Sequence, residues 1–145
     1  MAGVELVARD GLLSGLLTSR GPRRDADHLS YDSTNVFARI LRGEIPADVL
    51  HDDEHCLAFR DVAPQAPTHF LVIPKREIAT LSDANPEDAA VLGHLLVTAA
   101  KVARDLGVDE GGSRIVINNG AGAGQTVFHL HVHVLAGRPL NWPPG

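Results

Sequence analysis

Residues 127–135, Val-Phe-His-Leu-His-Val-His-Val-Leu, alternate in character almost from end to end. Successive side chains of a strand point to opposite faces of its sheet. A strand over 127–135 therefore puts Phe128, Leu130, Val132 and Val134 on one face and His129, His131 and His133 on the other. The apolar face demands a hydrophobic core behind it. The histidine face, with imidazoles about 7 Å apart, cannot be a second ordinary core, and the register marks it as a site.

Three chemistries could use such a face. Neutral imidazoles are common zinc ligands, but donors at i, i+2 and i+4 on a flat strand diverge, so the outer two reach one ion at about 2.1 Å with difficulty. No nearby acidic residue completes a set, although His69 could contribute. The plain alternative is three solvated or hydrogen-bonded histidines on an edge strand. The third is nucleophilic catalysis. An imidazole with a pKa of about 6.5 is unprotonated often enough at neutral pH to attack phosphorus, and a neighbouring histidine can hold its tautomer or protonate a leaving group. The loop before the strand favours this third use. Gly120, Gly122 and Gly124 allow backbone N–H groups to approach phosphate oxygens closely, and the Thr126 hydroxyl follows. Its Gly-x-Gly-x-Gly spacing joins strand to strand with no following helix, so it is not a dinucleotide-binding fingerprint.

The remaining elements follow from local signals. Asn35 offers a helix N-cap before Val36, Phe37, Ile40 and Leu41, and Gly43 and Pro46 end that short helix. Strands are expected at 49–51, 56–59, 69–73 and 114–118. Pro64 and Pro67 keep 63–67 a stiff loop. Asn85-Pro86-Glu87-Asp88 starts the one long helix, whose expected buried stripe is Leu92, Leu95, Leu96, Ala99, Val102, Ala103 and Leu106, with Gly107 closing it. His94 reads as a surface or interface residue of that helix. Short strand connections and one helix between the third and fourth strands predict an α+β domain with a five-stranded, mainly antiparallel sheet, one long helix and one short. Residues 34–145 form this domain, and 1–33 read as a flexible N-terminal extension.

Composition sets the outer bounds. The chain has 145 residues, enough for one core, and a formal net charge of -5. Acidic balance argues against general nucleic-acid binding but leaves room for one small phosphate compound held by local donors. No uncharged apolar run of roughly 18 residues exists, so no membrane helix is expected. Cys56 is the only cysteine; it reads as a buried structural thiol, in keeping with a reducing, cytoplasmic setting.

The segment His129-Leu130-His131-Val132-His133-Val134-Leu135 resembles the signature of the histidine triad (HIT) superfamily, three histidines alternating with apolar residues. Phe37-Ala38-Arg39-Ile40, Gly43-Glu44-Ile45-Pro46, the stretch from Pro64-Gln65-Ala66-Pro67-Thr68-His69 through Pro74-Lys75, and Trp142-Pro143-Pro144-Gly145 extend the likeness to its HINT branch, the histidine triad nucleotide-binding proteins. The resemblance implies a HIT-like fold, a homodimer, a purine nucleotide pocket binding AMP or GMP, and hydrolysis of nucleoside phosphoramidates and aminoacyl-adenylates without cofactor or metal. It makes His131 the nucleophile that forms a covalent nucleotidyl-histidine, with His129, His133 and His69 in support. It assigns the ribose to Asp61 beside Val62, the base to Phe37, Ile40, Phe59 and Leu71, and the phosphate to Asn118, Gly124, Gln125 and Thr126. Dinucleoside polyphosphate hydrolysis, nucleotidyl transfer, or a nucleotide-binding regulatory module remain the alternatives. Two departures stand out: Thr126 occupies a place where serine is frequent, and the zinc-binding cysteine pairs of some bacterial relatives are missing.

Overall fold

The computed structural model describes residues 31–145, so most of the expected extension at 1–33 lies outside the described residues. Helix α1, Val36–Leu41, begins where the Asn35 side chain accepts a hydrogen bond from the Ala38 amide. Strands β1, Val49–Asp52, β2, Cys56–Arg60, and β3, Thr68–Pro74, follow as an antiparallel meander. A 3-10 turn at Pro86–Asp88 leads into helix α2, Ala89–Asp105. The Asn85 side chain accepts from the Glu87 amide, and the Asp88 carboxylate accepts from the Asn85 amide, which satisfies N–H groups the first turn leaves unpaired. Gly107 ends this helix at φ +72, a left-handed conformation that a side chain would strain. Strands β4, Ser113–Val116, and β5, Val132–Ala136, complete a five-stranded antiparallel sheet in the order β1-β2-β3-β5-β4. The last strand thus inserts between the third and fourth.

Pairing register divides the sheet into two working faces. The cross-strand row Ala58, Val72, Val132 points toward α2, with Cys56, Phe70 and Val134 beside it. Leu95, Ala99, Val102 and Ala103 of α2 pack on this row to form the main core. The neighbouring row, Phe59, Leu71 and His133, belongs to the other face. There Phe37 of α1 packs with Leu57, Phe59, Leu71 and Ile73 in a smaller cluster. Cys56 is fully buried on the α2 side, and burial raises its thiol to about 11, so it is an un-ionised core thiol at neutral pH.

Three expectations need correction. The last strand does not run over 127–135: the chain bends through 127–129 and pairs regularly only from Val132. Phe128 is in consequence exposed instead of facing the core, while Leu130, whose amide donates to the Ile78 carbonyl, is buried as expected. On α2, Leu96 turns outward and Thr98 takes a buried place, because the stripe follows the 3.6-residue repeat along 91, 95, 98, 99 and 102 instead of taking every leucine. Among the described residues, no helix is long and apolar enough to cross a membrane.

Leu95 is 1% exposed at the centre of the α2–sheet contact. Leu95→Ala should lower stability by about 2–5 kcal/mol, read as a shifted midpoint in urea unfolding with an unchanged slope.

Candidate active site

Between α1 and the Phe59–Leu71–His133 row lies a cavity of about 350 Å³, within the range of small-ligand sites. Its wall is apolar on one side, with Val36, Phe37, Ile40, Ile45, Pro46, Ala47, Phe59, Val62 and Leu71. Asp61, Thr126, His131 and His133 supply the polar side. Thus Phe37, Ile40, Phe59, Asp61, Val62, Leu71, Thr126, His131 and His133, chosen from sequence, meet around one space. Val36, Ile45, Pro46, Ala47, Arg60 and Val127 line it too and escaped the sequence reading, since nothing in a Gly-Glu-Ile-Pro turn indicates which way it folds back.

The histidines are not equivalent. His129 is completely buried, and its two nitrogens are both engaged. Nε2 lies 2.8 Å from the Pro74 carbonyl, which can only accept, so Nε2 carries the proton. Nδ1 is then the acceptor for the Tyr31 hydroxyl, which in turn accepts from the Asn35 amide nitrogen 2.9 Å away. Tyr31 is a residue that the sequence reading missed, since the contact spans 98 positions. With no nitrogen left over, His129 is neutral and locked, and burial holds its pKa below the ordinary value despite the Pro74 bond.

His129 acts on its neighbour through its backbone. Its carbonyl oxygen lies 2.7 Å from His131 Nδ1, so His131 carries its proton on Nδ1 and leaves Nε2 as a bare lone pair. Burial pushes the His131 pKa down, against the carbonyl bond that raises it, so the neutral form prevails at neutral pH. Phe37 meets the ring edge-on, with centroids 4.9 Å apart and an interplanar angle of 79°, and fixes its orientation.

His133 and His69 form a second chain. The Gln65 amide donates to His69 Nδ1 over 3.0 Å, so the His69 proton is on Nε2, 2.9 Å from His133 Nδ1. His133 Nδ1 accepts, and its own proton stands on Nε2. Burial, then the charges it would share with His131 and His69, lower its pKa to about 4. His69 itself is buried behind His133 and does not line the cavity. The structure also supplies the acid that the sequence reading lacked: Asp61 Oδ2 is 3.4 Å from His69 Nε2, so Asp61, His69 and His133 gather three metal-capable atoms within 4.8 Å. Asp61 Oδ1 accepts from the Ala63 amide at 2.8 Å and caps the turn after β2.

The glycine loop is placed differently from its expected use. Gly124 sits at φ +95, and the amides of Gly120, Gly124 and Gln125 all bond within the loop. Gln125 is buried, its amide group donating to the Ala79 and Val127 carbonyls while its oxygen accepts from the Gly120 amide. Its side chain braces the loop. Neither it, Gly124 nor Asn118 borders the cavity; Thr126 does.

A small antiparallel α+β domain with linked histidines closing a half-apolar cavity defines a histidine-triad protein. The chain belongs to the HIT domain family, whose sequence pattern matches residues 42–140. It is 59% identical over 110 residues to a HIT-like protein of Synechocystis sp., spanning 76% of this chain and 96% of that one. Its fold is shared with a HIT family hydrolase from Legionella pneumophila (TM-score 0.75, 50% identity, 77% of this chain and 99% of the other). A second HIT family hydrolase, from Clostridium thermocellum, gives a TM-score of 0.74 at 42% identity, over 76% of this chain and 96% of the other.

Because the folded His133 pKa is depressed to about 4, the unfolded chain binds a proton there that the folded chain refuses. Stability should therefore fall as pH drops from about 6.5 toward 4. Imidazole proton NMR should give a midpoint near 4 for His133, and a midpoint near 6.5 would contradict the burial of that ring among the other histidines.

Proposed function

We propose that this protein is a purine nucleoside phosphoramidase, a hydrolase of adenosine 5'-monophosphate–amine conjugates and aminoacyl-adenylates. The observation that carries the reading is the bare Nε2 of a neutral, buried His131 at a cavity that also holds an apolar slot and a carboxylate. Phe37, Ile40, Phe59 and Leu71 take the flat base, with Val62 at the exposed rim. Asp61 Oδ2 accepts from the ribose hydroxyls. His131 Nε2 attacks the phosphorus, forming a P–N bond to the imidazole as the bond to the amine breaks. The positive charge gained by the ring is met by the His129 carbonyl at Nδ1. The electron pair leaves on the amine nitrogen, which takes a proton that the Thr126 hydroxyl passes from water. His133 Nε2–H donates to a phosphoryl oxygen as negative charge builds there. Water then cleaves the nucleotidyl-histidine, releasing AMP and restoring His131. Of the described histidines, His131 and His133 alone line the cavity; His129 and His69 position them. Two relatives described as HIT family hydrolases support hydrolysis.

The functional unit in this reading is a homodimer. Among the described residues, edge strand β4 has only β5 as a neighbour and exposes Ile115, while α2 exposes Leu96 and Val97; edges and apolar side chains of this kind suit a second copy.

His131→Ala should bind AMP yet turn over no adenosine phosphoramidate, whereas His133→Ala should keep a residual rate about 10²–10³-fold down. An alkaline quench, which preserves P–N bonds, should leave the nucleotide on the peptide that contains His131. Near-normal turnover by His131→Ala would overturn the mechanism.

A further inference from the structure

On the other face of the sheet, away from the cavity, a second group of histidines surrounds one carboxylate. His51 of β1 places Nε2 2.7 Å from Asp53 Oδ2, and His94 of α2 places its Nε2 2.7 Å from that same oxygen. Cys56 Sγ, at the start of β2, lies 3.5 Å from it. The carboxylate cannot swing away: Asp53 Oδ1 accepts from the His55 and Cys56 amides at 2.8 and 2.9 Å. Thr98, one turn along α2 from His94, adds a hydroxyl 3.6 Å from the sulfur. Nothing in the phosphoramidase mechanism uses these groups.

We propose that His51, Asp53, Cys56 and His94 form a tetrahedral site for one zinc-class divalent ion that pins the β1–β2 turn to α2. Two imidazole nitrogens, one carboxylate oxygen and one sulfur are the donor set that borderline-soft ions take. The ligand atoms of His51, Asp53 and Cys56 lie within 4.8 Å of one another. Metal bonds of about 2.0–2.3 Å ask for ligand separations of roughly 3.3–3.8 Å, so both nitrogens draw back from Asp53 Oδ2 by about an ångström or less, while the sulfur and His94 Nε2, which lies outside the 4.8 Å group, close in on the other ligands. The ion takes the place of the two imidazole protons now shared with Asp53. Each ring keeps one proton by carrying it on Nδ1, and the thiol releases its proton to solvent. The ligands come from a turn, two strands and a helix, and the cluster is only part-exposed, as fits a structural ion more than a catalytic one.

The test is cobalt(II) titration of the full, chelator-stripped chain. Because Cys56 is the only cysteine, a thiolate-to-cobalt charge-transfer band reports this site alone and separates it from the Asp61–His69–His133 group, which has no sulfur. One cobalt per chain is expected, with that band and tetrahedral d–d absorption. The band should vanish in Cys56→Ser. His94→Gln, at a part-exposed helix position, keeps the fold and should weaken binding by about tenfold or more. Zinc should raise the melting temperature of the unaltered chain more than that of His94→Gln at the same zinc concentration. Absence of the charge-transfer band at saturating cobalt, or a band unchanged in His94→Gln, would overturn the proposal even if Cys56→Ser failed to fold.

Discussion

The hydrogen bond from His131 Nδ1 to the His129 carbonyl, 2.7 Å long, is the constraint from which the site's chemistry follows. It converts an imidazole with two equivalent-looking nitrogens into one with a single directed lone pair. That bond exists only because His129 is itself immobile. Its ring is clamped between the Pro74 carbonyl at the end of β3 and the Tyr31 hydroxyl ahead of α1, and Asn35 both holds Tyr31 and caps α1. Helix, strand and histidine loop are thereby tied at one buried imidazole.

The two faces of the sheet divide the labour. Toward α2 the rows are continuous hydrocarbon and carry most of the burial. Toward α1 the same strands leave a gap, because their outer positions are Phe59, Leu71 and His133, and α1, only 6 residues long, does not fill the space. A rigid back and an incompletely covered front are a common way to hold reactive groups in place. His69 and His133 meet because β3 and β5 are neighbours, and Asp61 is close because β2 is the next strand along.

Much of this was legible from local sequence. The cap at Asn85, the stop at Gly107 and the run of β3 up to Pro74 each rest on neighbours a few residues away, where turn chemistry decides. The histidine segment was read as a site on a flat strand, and the flat strand is wrong. Alternation treats residues 129, 131 and 133 alike, whereas a bend at 127–129 sends His129 inward. From the sequence, only family resemblance separated His131 from its neighbours; in the structure a carbonyl and a buried ring do so on physical grounds. Gln125 illustrates the same limit: Gly120 and Val127 lie close to it in the chain, but Ala79, the third partner of its side chain, is 46 positions away. Asp53 and His94 are 41 positions apart, and no local pattern announces that they meet.

The proposed attack by His131 depends on which ring nitrogen carries its proton. Nitrogen-15 NMR of the imidazoles at neutral pH measures this directly, through the coupling and shift of each ring nitrogen. His131 should be neutral with a protonated Nδ1 and a bare Nε2, beside a His129 with the opposite tautomer. A His131 protonated on Nε2, or an imidazolium there at pH 7, would contradict the proposed nucleophile and the clamp built to prepare it.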